Sequence, residues 1–149
     1  MRVERDPAFW TAVASHPEVS HILFGEEPDL SAVELEHVMP LASEHGGYIF
    51  IRLCPFGRIW DLHSLFTPEG WGREAYYHGI ACLSALPDWQ VITTYQTQDK
   101  RSVPPRSFGF VEAGGFEQTP YGLWKTWILT RKAWLQSPAY LRSSKTCQS

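Results

Sequence analysis

His63-Ser64-Leu65-Phe66-Thr67-Pro68-Glu69-Gly70-Trp71-Gly72-Arg73-Glu74-Ala75 is the stretch on which the reading of this chain turns. It passes from a strand pattern, through a turn with two glycines, into a helical pattern. A helix start leaves about four backbone N–H groups without intrahelical partners and gathers roughly half a positive charge. Glycines ahead of it let a phosphate approach the backbone closely. The plain alternative is a tight turn with no ligand. No Gly-Lys-Ser/Thr follows, so this is not a P-loop, and the glycines do not complete a dinucleotide fingerprint.

The elements around this stretch set its context. Gly47–Leu53 is β-branched and aromatic, and Pro55-Phe56-Gly57 turns it into a second strand, Arg58–Phe66. Along that second strand Ile59, Asp61, His63 and Leu65 share one face, and Trp60, Leu62, Ser64 and Phe66 the other. After the turn, a helix is predicted at about Arg73–Leu86, with a stripe of Ala75, Tyr76, Ile80, Leu83 and Leu86, stopped by Pro87-Asp88. Gln90–Tyr95 reads as a strand. Ser102 caps a predicted helix with Pro104 and Pro105 in its first turn, carrying Phe108, Val111 and Ala113 to Gly114-Gly115-Phe116. Leu123–Thr130 reads as a last strand. Upstream, Asp6-Pro7 and Ser15-His16-Pro17-Glu18 open two short helices, with Phe9, Trp10 and Val13 at helical spacing in the first. Gly25–Asp29 is turn-rich, and Pro40 interrupts any pattern across Leu30–Ala42. The order implies a mixed α/β (α+β) sheet protein. One domain is expected over 1–136, followed by a frayed polar tail over 137–149.

Composition narrows the class. The chain has 149 residues, 44% of them hydrophobic and 14% aromatic, too apolar for disorder. No apolar run approaches a membrane span, and the N-terminus lacks a signal peptide's apolar centre. Cys54, Cys82 and Cys147 are an odd number without metal spacing, which points to a reducing compartment. The six histidines show no paired spacing with Cys or carboxylates, so no metal site is expected. Cys82 reads as core. No Gly-x-Ser-x-Gly elbow or Cys/His signature marks a covalent nucleophile. A net charge of −3 gives no reason to expect nucleic-acid binding. That sum hides an asymmetry: residues 1–74 carry 5 Lys/Arg against 12 Asp/Glu, and residues 75–149 carry 8 against 4. The acidic part is densest from Glu26 to Glu44, and the basic part includes Lys100, Arg101 and Arg106. Two solvated faces, or an anionic ligand on the second half facing a cationic one near the first, both fit.

A meander, a phosphate-type turn at a helix start, a strand, a helix ending in Gly-Phe and a last strand together resemble the GNAT superfamily of acyl-CoA-dependent N-acyltransferases, over about Gly47–Arg131. The family's acyl-CoA loop reads Gln/Arg-x-x-Gly-x-Gly/Ala. Thr67-x-x-Gly70-x-Gly72 keeps both glycines and loses the leading residue. A second register sets Pro68-Glu69-Gly70-Trp71-Gly72-Arg73-Glu74-Ala75 on the family's frequent Pro-Glu-x-Arg-Gly-x-Gly run, with Trp71 at the Arg and Glu74 at a Gly. The second is preferred because Pro68-Glu69 and Gly72 align together. His63 ahead of the loop is similar to small, phage-type members. The segment from Arg106 to Phe116 looks like the fourth family helix, but its Asn position falls at Pro104 or Pro105 and its tyrosine near Val111.

The resemblance implies acetyl-CoA as co-substrate, with its pyrophosphate on the backbone of Gly70, Trp71, Gly72, Arg73, Glu74 and Ala75 and its pantetheine along Ser64, Leu65 and Phe66. Arg106 is a further cofactor-binding candidate. The sheet would splay between its fourth and fifth strands. Acyl transfer needs an unprotonated amine, an oxyanion donor and an acid for the thiolate. His63 is the candidate base, or else a structural strand histidine. Asp61 is the candidate to orient it, and Tyr95 or Tyr121 would replace the missing acid. Glu69 and Glu74 are awkward beside a pyrophosphate, and should point away or be offset by Arg73. The function implied is transfer of an acetyl or short acyl group to a primary amine on a small molecule or peptide. The alternative is a binding or assembly protein on the same fold, without turnover. Neither nucleic acid nor membrane is an expected partner, whereas a homodimer or an assembly partner is compatible. The expected location is the cytoplasm, or a virion if the chain is phage-encoded.

Overall fold

The computed structural model describes residues 1–20, 37–53, 58–97, 104–120 and 122–146. Seven strands hydrogen-bond in the order β1-β2-β3-β4-β5-β7-β6. They are β1 (Arg2–Val3), β2 (Val38–Ser43), β3 (Gly46–Arg52), β4 (Ile59–Phe66), β5 (Val91–Thr97), β6 (Val111–Thr119) and β7 (Gly122–Thr130). The helices are α1 (Pro7–Ala14), α2 (Pro17–Ser20), α3 (Arg73–Ala85), α4 (Arg131–Leu135) and α5 (Pro138–Thr146). No described helix is long and apolar enough to cross a membrane.

The chain divides into two compact units. The first comprises Met1–Arg52 and Leu62–Ala85. In it α1 begins as its sequence dictates: the Asp6 side chain accepts from the Ala8 N–H, and Pro7 stands where no donor is needed. Trp10, Val13, Val19, Ala42 and Leu65 form its apolar cluster. β2 tolerates Pro40 because the Pro40 carbonyl accepts from Glu4 N–H, just where β1 ends. The missing donor therefore falls on the side with almost no strand to pair. The buried face of α3 holds His78, Gly79, Cys82 and Leu83. That corrects the expected stripe, since Ala75, Tyr76 and Ile80 are only half-buried. His78 is admitted to the interior because its Nε2 meets the Leu41 carbonyl at 2.7 Å and its ring stacks on Tyr48. Cys82 is core, as expected, and burial pushes its thiol up to about 12.

The second unit comprises Leu53–Asp61 and Leu86–Ser149. Its largest fully buried side chains are Trp89, Trp127, Trp134, Ile92 and Leu129. β4 and β5 pair in parallel through Ile59↔Val91, Trp60↔Ile92 and Asp61↔Thr93, and the ladder ends there. A strand–helix–strand connection makes parallel neighbours, as expected for these two strands. β5 then pairs antiparallel with β7 over Val91↔Thr130 to Thr97↔Trp124.

Two expectations fail in this unit. The helix predicted from Ser102 through Ala113 is instead a single 3-10 turn, Arg106–Phe108, followed by β6; residues 98–103 lie outside the described set. Gly109, in the left-handed region at φ 101°, ends the turn. Gly114 and Gly115 together would cost a helix about 2 kcal/mol, whereas β6 gains an antiparallel ladder with β7, bulged between Ala113 and Glu117. Gly115-Phe116 is therefore strand, not the end of a helix. The frayed tail over 137–149 is corrected too, because Pro138–Thr146 is helical. The Ser137 hydroxyl accepts from the Tyr140 N–H, Ala139 is buried, and Tyr140 packs on Trp134. Ser137-Pro138 repeats the cap-then-proline signal of Asp6-Pro7.

Candidate active site

The glycine turn lies wholly within the first unit. Thr67 leaves β4 extended, Pro68–Gly70 makes one 3-10 turn, and α3 starts at Arg73. The two glycines serve different ends. A Cβ at Gly70 would lie 2.8 Å from the Phe66 ring and 3.1 Å from His45 Cβ, so Gly70 is a packing requirement. Gly72 has φ +84° with nothing within 4 Å of its would-be Cβ, so it supplies the turn and leaves space above the backbone. Tyr76 N–H bonds back to the Gly72 carbonyl, which makes Gly72 the helix cap. The N–H groups of Arg73, Glu74 and Ala75 therefore belong to the first turn, where no intrahelical acceptor exists. Trp71, at the family's Arg position, donates its indole N–H to the Phe66 carbonyl at 3.1 Å.

Glu74 turns away from the helix end. Its Oε1 accepts from Ser43 Oγ at 2.5 Å and from His45 N–H at 2.8 Å, and its Oε2 meets His45 Nδ1 at 2.8 Å. Burial opposes its ionisation, but these bonds outweigh burial and hold the carboxyl at about 2. Glu69 reaches the other ring nitrogen, His45 Nε2, at 3.1 Å. The bond to Glu74 raises the His45 pKa, against some desolvation, and the charges of Glu74, Glu44 and Glu69 add to the rise. Arg73 does not offset either carboxylate at contact: its guanidinium lies over the Tyr77 ring. Sequence reasoning missed this arrangement because His45 is 29 residues from Glu74, and no local pattern pairs them.

The remaining candidates fall as follows. Along β4, Leu65 and Phe66 are buried, while His63 and Ser64 are exposed. Asp61 shares His63's face by alternation but is only 7% exposed, and its Oδ1 accepts from Thr93 Oγ1 at 2.7 Å. Asp61 and Thr93 are register partners in the second unit, and Tyr95 follows two residues along β5 on the same face. Tyr95 packs on Trp124 with ring centroids 5.2 Å apart. Burial, then the Asp61 charge, raises the Tyr95 hydroxyl above its ordinary value. The structure thus brings together Asp61, Thr93, Tyr95 and Trp124, of which the sequence singled out Asp61 and Tyr95 as chemistry. Arg106 has lost the helix that suggested it: its guanidinium bonds Glu112 at 3.3 Å and lies over Trp127. Tyr121, Lys100, Arg101, Cys54, Cys147 and the acidic cluster apart from Glu44 lie outside the described residues. No group of three or more His, Cys, Asp or Glu suited to a metal occurs among the described residues.

This element order, with a glycine turn at the head of the helix after β4 and a parallel β4–β5 pair, is the GNAT fold. Solved structures of that fold match most of the chain. Against AAC(6')-Ib in complex with paromomycin and acetyl-CoA the TM-score is 0.63 at 17% identity, covering 89% of this chain and 92% of that one. Against Mycobacterium smegmatis RimJ in complex with CoA-disulfide it is 0.59 at 14% identity, covering 97% and 87%. A chimera of the Vibrio cholerae spermidine N-acetyltransferase SpeG with hSSAT gives 0.58 at 15% identity, covering 89% and 94%. No protein-family model matches the sequence, and no curated protein does. Identities this low establish the fold alone.

Proposed function

We propose that this chain is an acyl-CoA-dependent N-acyltransferase that moves an acetyl or short acyl group to a primary amine. The observation that carries the reading is the Gly70–Ala75 turn at the head of α3 within a GNAT fold. Its first-turn N–H groups suit a pyrophosphate, and the structural neighbours include chains crystallised with acetyl-CoA and with CoA-disulfide. Ser64, Leu65 and Phe66 would offer backbone to the pantetheine. In the reaction the amine nitrogen attacks the thioester carbonyl, an N–H donor holds the oxyanion, and collapse breaks the C–S bond. His63, exposed on β4, is the candidate to take the amine proton directly or through water. Tyr95, kept protonated by burial and by Asp61, is the candidate to give a proton to the departing thiolate. Asp61 then acts on Tyr95 rather than as the orienter of His63.

The test is calorimetric titration with acetyl-CoA, followed by thiol release with a panel of primary amines. Micromolar binding with amine-dependent thiol release supports the reading. Binding without release under any amine supports a non-catalytic binding protein on the same fold, and no heat at millimolar acetyl-CoA sinks the cofactor reading and leaves only the assembly alternative. Gly72→Asp should weaken binding at least about tenfold, through a like charge at the phosphate end.

A further inference from the structure

We propose that His45, as an imidazolium, is the positioning residue of the cofactor turn, and that it makes acyl-CoA affinity depend on pH by holding, and partly offsetting the charge of, two carboxylates that would otherwise face the pyrophosphate. The inference rests on the cofactor reading above and deepens it. A turn that takes a pyrophosphate would not be expected to carry Glu69 and Glu74, because each carboxylate repels the anion. His45 resolves the conflict. Its Nδ1 meets Glu74 at 2.8 Å and its Nε2 meets Glu69 at 3.1 Å, so one ring bridges the middle of the turn and the first turn of α3. Both ring nitrogens face carboxylates, which only the doubly protonated ring can satisfy as a donor at each end.

The backbone of the same residue fastens the segment at both ends. The His45 carbonyl accepts from Thr67 N–H at 2.9 Å, where the turn begins, and His45 N–H donates to Glu74 at 2.8 Å, where the helix begins. Gly70 packs against His45 Cβ between these two anchors. The charged groups facing the ring are Glu44 from its own turn at 4.0 Å, Glu69 from the 3-10 turn and Glu74 from α3. Three carboxylates against one imidazolium leave the patch anionic, and losing the ring proton adds a further unit of negative charge. It also removes one of the two donors that hold Glu69 and Glu74 in place. The two effects act in the same direction, so acyl-CoA affinity falls as pH rises through the His45 titration.

The test is acetyl-CoA affinity by calorimetry from pH ~6 to ~9 on wild type, His45→Gln and Glu69→Gln, with the His45 ring followed by NMR over the same range. Wild type should weaken about tenfold across the ring's titration, the effect of roughly one unit charge close to the phosphates. His45→Gln should be weak throughout and keep only the cofactor's own phosphate titration. Glu69→Gln, an exposed position that does not threaten folding, should bind more tightly at high pH and flatten the wild-type step. A wild-type profile matching that of His45→Gln would overturn the inference and leave the cofactor reading standing. No binding by any variant at any pH would overturn the cofactor reading and this inference with it.

Discussion

Tyr95 and Asp61 carry the proposed chemistry in the second unit, and their pairing gives an expectation at the scale of single residues. Because burial and the Asp61 charge both favour the neutral phenol, a rate that needs protonated Tyr95 should hold until the pH passes 10.0, the ordinary tyrosine value. Tyr95→Phe should lower turnover about 10²-fold, with acetyl-CoA affinity and melting temperature nearly unchanged. Asp61→Asn should shift the alkaline limb of the pH–rate profile down only in part, since burial remains. A Tyr95→Phe enzyme with wild-type turnover would remove Tyr95 from the mechanism. His63→Ala separates base from structural residue. The exposure of His63 predicts little change in melting temperature, so a rate loss of about 10²-fold would mark the base, and unchanged turnover would return it to the surface.

At the scale of elements, the turn and the caps make the sharper predictions. Gly70→Ala puts a methyl against the Phe66 ring and should destabilise by about 1–3 kcal/mol, read as a lower melting temperature. Gly72→Asp has room for its side chain, so it should cost about 1 kcal/mol in stability and act mainly on acetyl-CoA affinity. The contrast between the two glycines would vanish if the turn were merely a tight connection. Thr130 accepts from Ala133 N–H at the head of α4, and Thr130→Ala should cost about 1 kcal/mol. The predictable elements were those with a strong local signal: α1 from Asp6-Pro7, α3 from its glycine turn, and β3 and β4 from their β-branched and aromatic runs. β6 was not predictable. Phe108, Val111 and Ala113 imitate helical spacing, but Val111 is exposed, and the ladder with β7 sets the outcome.

For the whole molecule, the Glu69–His45–Glu74 bridge makes stability depend on pH in a definite direction. His45 has a raised folded value, so its contribution is complete below 6.5 and is lost as pH rises through that raised value. Glu74 has a lowered value, so its contribution is complete above 4.5 and is lost as pH falls towards about 2. The bridge should therefore stabilise most between 4.5 and 6.5. The difference in melting temperature between wild type and His45→Gln should peak there and shrink on both sides. A difference that does not change with pH would mean the ring is held by packing alone.

The sequence by itself determined the class of the fold, because glycine turn, helix and following strand are local signals with a fixed order. It also determined which residue types stand at the turn. Only the tertiary structure decided what those residues do. Glu74 looked like an obstacle to an anion until β2 and β3 brought Ser43 and His45 to it. Asp61 looked like a partner for His63 until β5 placed Thr93 within hydrogen-bonding reach and Tyr95 on the same face. The physical reason is the same in both cases. A hydrogen bond between residues about 30 positions apart depends on strand register, and register is set by pairing across the sheet rather than by any pattern along the chain.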